Sequence, residues 1–125
     1  MNLEKVRAGF FIMLAMTLNF GFFYGEMDSM VHHHKFELFA AIVVNLIATT
    51  LKLGDRTQMG SVLLATSLVA DIQLIAAATV WTIAEYSGSM DAGMVGIIIS
   101  LSGGALLANI TSVILYVGDT IKSKR

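Results

Sequence analysis

Asp71 is the residue whose type and place could do chemistry. It stands about midway along an apolar run, Gly60–Ala84, where an ionised carboxylate costs roughly 2.5–3.5 kcal/mol on membrane-insertion scales. The protonated form is cheaper to bury, and hydrogen-bond donors offset the cost of the charged one. Counting ~1.5 Å per residue from the outer helix ends, Asn45 lies at a similar depth, Gln73 close by and Asn109 deeper. Two uses fit this set. It is an ion or proton site, or a polar post that holds one helix against another. No Lys or Arg is placed deep in a span opposite Asp71.

The run His32-His33-His34 invites a metal or haem reading. Adjacent histidines point in different directions, so at most two share one ion, with Glu26 or Asp28 as oxygen donors. A metal site needs a defined ligand set and a second shell, and a membrane haem wants histidines from facing helices. The residues therefore read as solvated loop groups at headgroup level, with a pH-sensitive outer surface as the alternative. No cofactor and no metal is expected. The turn pair Asp55-Arg56 reads as a local solvated ion pair, or else as a docking point for a cytoplasmic partner.

Catalysis requires a nucleophile with a base, or a metal with an open position, in mutual reach. The serines sit in apolar runs without a histidine, the carboxylates other than Asp71 lie at the rims, and no strand precedes a phosphate-binding glycine loop. There is no cysteine for thiol chemistry or disulfides. An enzyme is not expected. Nothing basic and aromatic suggests nucleic acid.

The elements that position these residues follow from composition. The 125 residues are 56% hydrophobic and 14% charged, with a mean hydropathy of +0.76. One soluble core of this size cannot hide so much apolar surface, whereas a bilayer accepts it in runs of roughly 20 residues. Four runs are present, about Ala8–Gly25, Phe36–Leu53, Gly60–Ala84 and Gly93–Val117. The first follows Lys5 and Arg7 but is long for a signal peptide and lacks a small-x-small cleavage pattern, so it reads as a retained helix. Lys5, Arg7, Lys52, Arg56, Lys122, Lys124 and Arg125 then share one side, and only Lys35 falls on the other. That bias places both termini in the cytoplasm. Short connections at Gly54–Met59 and Glu85–Ala92 make sequential helices antiparallel. The expected fold is all-α: a polytopic membrane protein with four transmembrane helices in an up-down-up-down bundle, all within a single domain, 1–125.

Small and weakly polar residues mark faces where membrane helices approach each other. The second run carries Glu37, Ala41, Asn45, Ala48 and Lys52 on one stripe, and the third Ser67, Asp71, Ala78, Thr82 and Glu85. The fourth carries Gly96, Ser100, Gly104 and Ala108 four apart, with Gly103 beside them, and the first has Ala15, Asn19 and a Gly21-x-x-x-Gly25 pair. These stripes are the bundle's own seams, or, for Gly96–Ala108, a face left for another subunit.

Three segments carry a family likeness: Leu18-Asn19-Phe20-Gly21-Phe22-Phe23-Tyr24-Gly25, Lys52-Leu53-Gly54-Asp55-Arg56-Thr57-Gln58 and Gly103-Gly104-Ala105-Leu106-Leu107-Ala108-Asn109-Ile110. With them the chain resembles, over nearly its whole length, an uncharacterised bacterial family of small four-span inner-membrane proteins, a domain of unknown function associated with potassium-channel genes. The resemblance implies residence in the bacterial inner membrane and an accessory role beside a cation channel, and carries over no functional residues. The expected function is thus a non-catalytic accessory or regulatory subunit of an ion channel or transporter, acting through intramembrane helix contacts. Its partners would be the lipid bilayer and another membrane protein, or a further copy of itself. The alternative is a homo-oligomer that conducts protons or cations past Asp71.

Overall fold

The computed structural model describes residues 3–28, 34–53 and 58–123, and side chains from 3–24, 36–53 and 58–122. The triplet His32-His33-His34 and the pair Asp55-Arg56 lie outside the described side chains. The described residues form four helices, α1 (Leu3–Asp28), α2 (His34–Lys52), α3 (Gln58–Ser87) and α4 (Ala92–Ser123). α1, α3 and α4 run beyond the apolar runs that announced them, because polar residues at the ends extend a helix without interrupting its hydrogen bonds, whereas α2 starts two residues before its run and stops one short of Leu53.

The α3–α4 connection shows how local chemistry sets the hairpin. Gly88 takes the left-handed conformation, with φ of 70°. The Ser89 N–H donates to Ala84 O at 2.9 Å and the Gly88 N–H to Glu85 O at 3.4 Å, which closes α3 with a glycine C-cap. Three residues later the Asp91 carboxylate accepts from the Met94 N–H at 2.9 Å and caps α4.

Among the described residues α1 packs on α2 and α4, and α3 packs on α2 and α4, while the backbones of the diagonal pairs stay apart and meet through side chains such as Phe22 and Trp81. The ends that meet show neighbours running in opposite directions. Tyr116 Oη, late in α4, donates to Lys5 O at the start of α1 at 2.6 Å, and Gly21, late in α1, faces Glu37 at the start of α2.

The inward faces share one rhythm. The seams run through buried Ile12, Ala15, Asn19 and Phe22 on α1; Leu38, Ala41, Asn45, Ala48 and Lys52 on α2; Leu63, Ser67, Ala70, Leu74 and Ala77 on α3; and Ile98, Ser102, Ala105, Asn109 and Ser112 on α4, with Thr49, Asp71 and Leu106 buried beside them. Spacings of three and four alternate along each helix. That alternation keeps a seam facing its neighbours, as in other antiparallel bundles. Large aliphatics point the other way. Ile72 is 66% exposed while Asp71 beside it is 4% exposed, the inverse of a water-soluble helix.

Three helical segments are long and apolar enough to cross a membrane: Leu3–Tyr24, Gln58–Ser87 and Ala92–Lys122. The expectation of four such segments is therefore met by three. α2 is the shortest of the four at 19 residues, and Asn45 and Thr49 are buried along it between Glu37 and Lys52.

Candidate functional site

A polar network lies where α2, α3 and α4 meet. Thr49 and Lys52 stand three apart on α2, and Ser67 and Asp71 four apart on α3, so each pair occupies one helix face. Thr49 Oγ1 lies 2.5 Å from Asp71 Oδ2 and 2.9 Å from its own helix's Asn45 O. One turn toward the α2 C-terminus, Lys52 Nζ donates to Ser67 Oγ and to Ser112 Oγ of α4 at 3.1 Å. Lys52 is only 6% exposed.

The direction of the remaining bonds follows from counting protons. Thr66 Oγ1 donates to Leu63 O at 2.9 Å, so in its 2.8 Å contact with Ser112 Oγ it accepts. Lys52 thus donates to Ser112, Ser112 to Thr66, and Thr66 to a backbone carbonyl. The chain is continuous from an ammonium to a helix.

Lys52 and Asp71 attract each other electrostatically without direct contact. Hydroxyls hold the ammonium one turn away, and Asp71 Oδ1 is buried with no hydrogen-bond partner. The Ser67 level is nine residues into α3, or ~14 Å along it, and the Asp71 level ~20 Å. A charged pair so deep is costly to assemble and costly to break from one side. The expectation of a lone intramembrane carboxylate is corrected here: Asp71 has a cationic neighbour, Lys52, which the positive-inside pattern had placed at the cytoplasmic end. Both lay on the stripes read from the sequence. The missing step was that those stripes face each other. Thr49, Thr66 and Ser112 carried no signal, because hydroxyls in membrane helices usually bond to their own backbone, as Thr50, Thr79 and Thr82 do.

The other expected site residues are not all gathered here. Asn45 Nδ2 donates to Ala41 O at 2.7 Å, and Asn45 reaches the carboxylate only through Thr49. Gln73 lies two residues past Asp71, on a different face of α3. Its amide packs against Gly104 of α4, where an added Cβ would come within 2.6 Å of Nε2. Asn109 is buried, with Nδ2 unpartnered. Residues four apart drift about 40° per step around a helix. The row Gly96, Ser100, Gly104, Ala108 therefore begins outside, with Gly96 and Ser100 exposed, and ends half-buried at Gly104 and Ala108. Gly103 faces the Phe23 ring of α1.

A model of a family of unknown function, DUF6394, matches residues 32–120, more than half of the chain. The chain belongs to DUF6394. The matched stretch contains the whole Lys52–Asp71 network and leaves out α1 with Asn19, so the likeness covers less than the nearly full length expected. No curated protein and no solved structure matches the chain. For this DUF6394 chain, then, chemistry must be argued from the residues. The arrangement can hold opposite charges apart in a low-dielectric interior. It can also accommodate a proton on Asp71 without moving heavy atoms: Thr49 donates to the ionised carboxylate, or accepts from the protonated one while donating to Asn45 O.

Proposed function

We propose that this chain is a non-catalytic accessory or regulatory subunit of an ion channel or transporter in a bacterial inner membrane. In this reading α2 is the fourth span, both termini are cytoplasmic, and contact with the partner is made inside the bilayer. At ~1.5 Å per residue α2 is ~28 Å long, close to the ~30 Å hydrocarbon core, and its polar residues face other helices instead of lipid.

The observation that carries the reading is the state of the two ends of the α4 row. Gly104 meets Gln73, whereas Gly96 is exposed and a Cβ there would meet nothing within 4 Å. Gly96 and Ser100 thus offer a second helix close backbone approach that the chain's own helices do not use. The partner implied by the potassium-channel association is a cation channel. Affinity capture from native membranes in a mild detergent tests this. A stoichiometric membrane partner lost in Gly96→Leu supports it, and recovery of the chain alone overturns it.

Asp71 Oδ1, buried and unbonded, favours a second reading: a homo-oligomer conducting protons or cations past Asp71. Flux into liposomes holding only the pure protein, abolished by Asp71→Asn with the fold intact, would displace the accessory reading.

A further inference from the structure

Five buried polar atoms without hydrogen-bond partners lie near one depth of the molecule. Asn19 of α1 is completely buried, and neither its Oδ1 nor its Nδ2 is bonded. Asp71 Oδ1 and Gln73 Oε1 on α3 and Asn109 Nδ2 on α4 are likewise buried and unbonded. Contacts between helices align Asn19, Asp71 and Asn109. Gly103 faces Phe23 and Gly104 faces Gln73. Asn19 precedes Phe23 by one turn, so in the antiparallel α4 it is level with Leu107. Asp71 precedes Gln73 by two residues and is level with Leu106. Asn19, Asp71 and Asn109 therefore fall within about one turn, ~5 Å of depth.

Buried polar atoms are almost always satisfied, and a bound water or ion is one reason for several in one place to lack protein partners. Two of the unsatisfied inward-facing atoms, Asn19 Oδ1 and Asp71 Oδ1, are oxygens, the donor type that hard alkali cations take. They bring one negative charge between them, from Asp71, which matches a monovalent ion better than a divalent one. The orphaned amide nitrogens of Asn19 and Asn109 suit the oxygen of a water carried with the ion. Lys52 bears on the same carboxylate. Its ammonium is itself a monovalent cation, drawn toward Asp71 by charge but held one turn away by Ser67 and Ser112, which leaves Oδ1 uncovered.

We propose that Asn19 and Asp71, with Asn109 beside them, form an internal site for a monovalent alkali cation, with the Lys52 ammonium as its tethered competitor. The site belongs to a single chain. It rests neither on the partner proposed above nor on a conducting assembly.

Equilibrium binding of radiolabelled rubidium and sodium ions to the purified full chain in detergent tests it. Lys52→Gln removes the competing charge, and is expected to bind one ion at least about tenfold more tightly than the wild type. Asn19→Val weakens that binding, and Asp71→Asn abolishes it in either background. Saturable binding that survives Asp71→Asn overturns the proposal, as does its absence from both the wild type and a folded Lys52→Gln. Where Lys52→Gln does not fold, as read by circular dichroism and gel filtration, the comparison is wild type against Asp71→Asn at raised rubidium. Saturable uptake lost in the variant supports the site, and equal uptake overturns it. Capture of a membrane partner is a separate measurement, so either proposal can fail alone.

Discussion

Thr49 Oγ1 stands 2.5 Å from Asp71 Oδ2 and 2.9 Å from the Asn45 carbonyl oxygen, so one hydroxyl proton has two acceptors. The carboxylate takes the shorter contact, as a charge-assisted bond should. This contact joins α2 to α3 at the level where Asp71 is buried, and the stability of the layer rests on its neighbour Lys52.

Removing Lys52 alone should be severe. Lys52→Ala leaves Asp71 without its counter-charge and takes the donor from Ser67 and Ser112. Breaking a buried charge pair from one side costs about 3–5 kcal/mol. Replacing both charges by apolar residues of similar volume, Lys52→Met with Asp71→Leu, should return stability to within about 1 kcal/mol of wild type. Reversible unfolding in mixed micelles, read by far-ultraviolet circular dichroism, measures both. A double variant as unstable as Lys52→Ala would show that the charges do not act as a pair.

Ser112 should matter mainly through Lys52. Ser112→Ala removes one acceptor from the ammonium and one donor from Thr66, and should cost roughly 1 kcal/mol, near the upper range for hydroxyl bonds between membrane helices. In a Lys52→Met background the same substitution should cost clearly less. A double-mutant cycle in the same unfolding assay reads the difference, and strict additivity would contradict the assigned chain of donors.

The α4 glycines should rank by what stands opposite. A Cβ at Gly103 would lie 2.8 Å from the edge of the Phe23 ring, so Gly103→Ala must push an aromatic side chain and should cost about 1–3 kcal/mol. Gly104→Ala meets the amide end of Gln73, which can rotate away, and should cost less. Gly96→Ala meets nothing and should leave the fold unchanged or raise its stability by up to about 1 kcal/mol through helix propensity. Thermal aggregation midpoints of the three variants give the order.

What the sequence disclosed about this fold follows from which signals are periodic. Four apolar runs became four helices, and the α2 and α3 stripes containing Asn45, Lys52, Ser67 and Asp71 were readable because polar residues on an apolar helix stand out. The Lys52–Asp71 relationship was not readable, since a basic residue near a helix end satisfies the positive-inside pattern whether its ammonium points to water or inward. On α4 the four-apart row of small residues drew attention from the true seam, Ile98, Ser102, Ala105, Asn109 and Ser112, whose alternating spacing mixes large and small side chains. Asn19 was readable as a seam residue of the first helix but not as level with Asp71, because their depths match only once α1 is set against α4.

The most direct test of the membrane arrangement is the sidedness of single cysteines, which the native chain lacks. Asn2→Cys, Ser89→Cys and Ser123→Cys, each labelled in intact and opened cells with a membrane-impermeant maleimide, report the two termini and the α3–α4 turn. Four crossings require positions 2 and 123 to react only after opening and position 89 to react from outside. If α2 does not cross, the count is odd and positions 2 and 123 appear on opposite faces. That result would remove Lys52 and Asp71 from a common intramembrane layer.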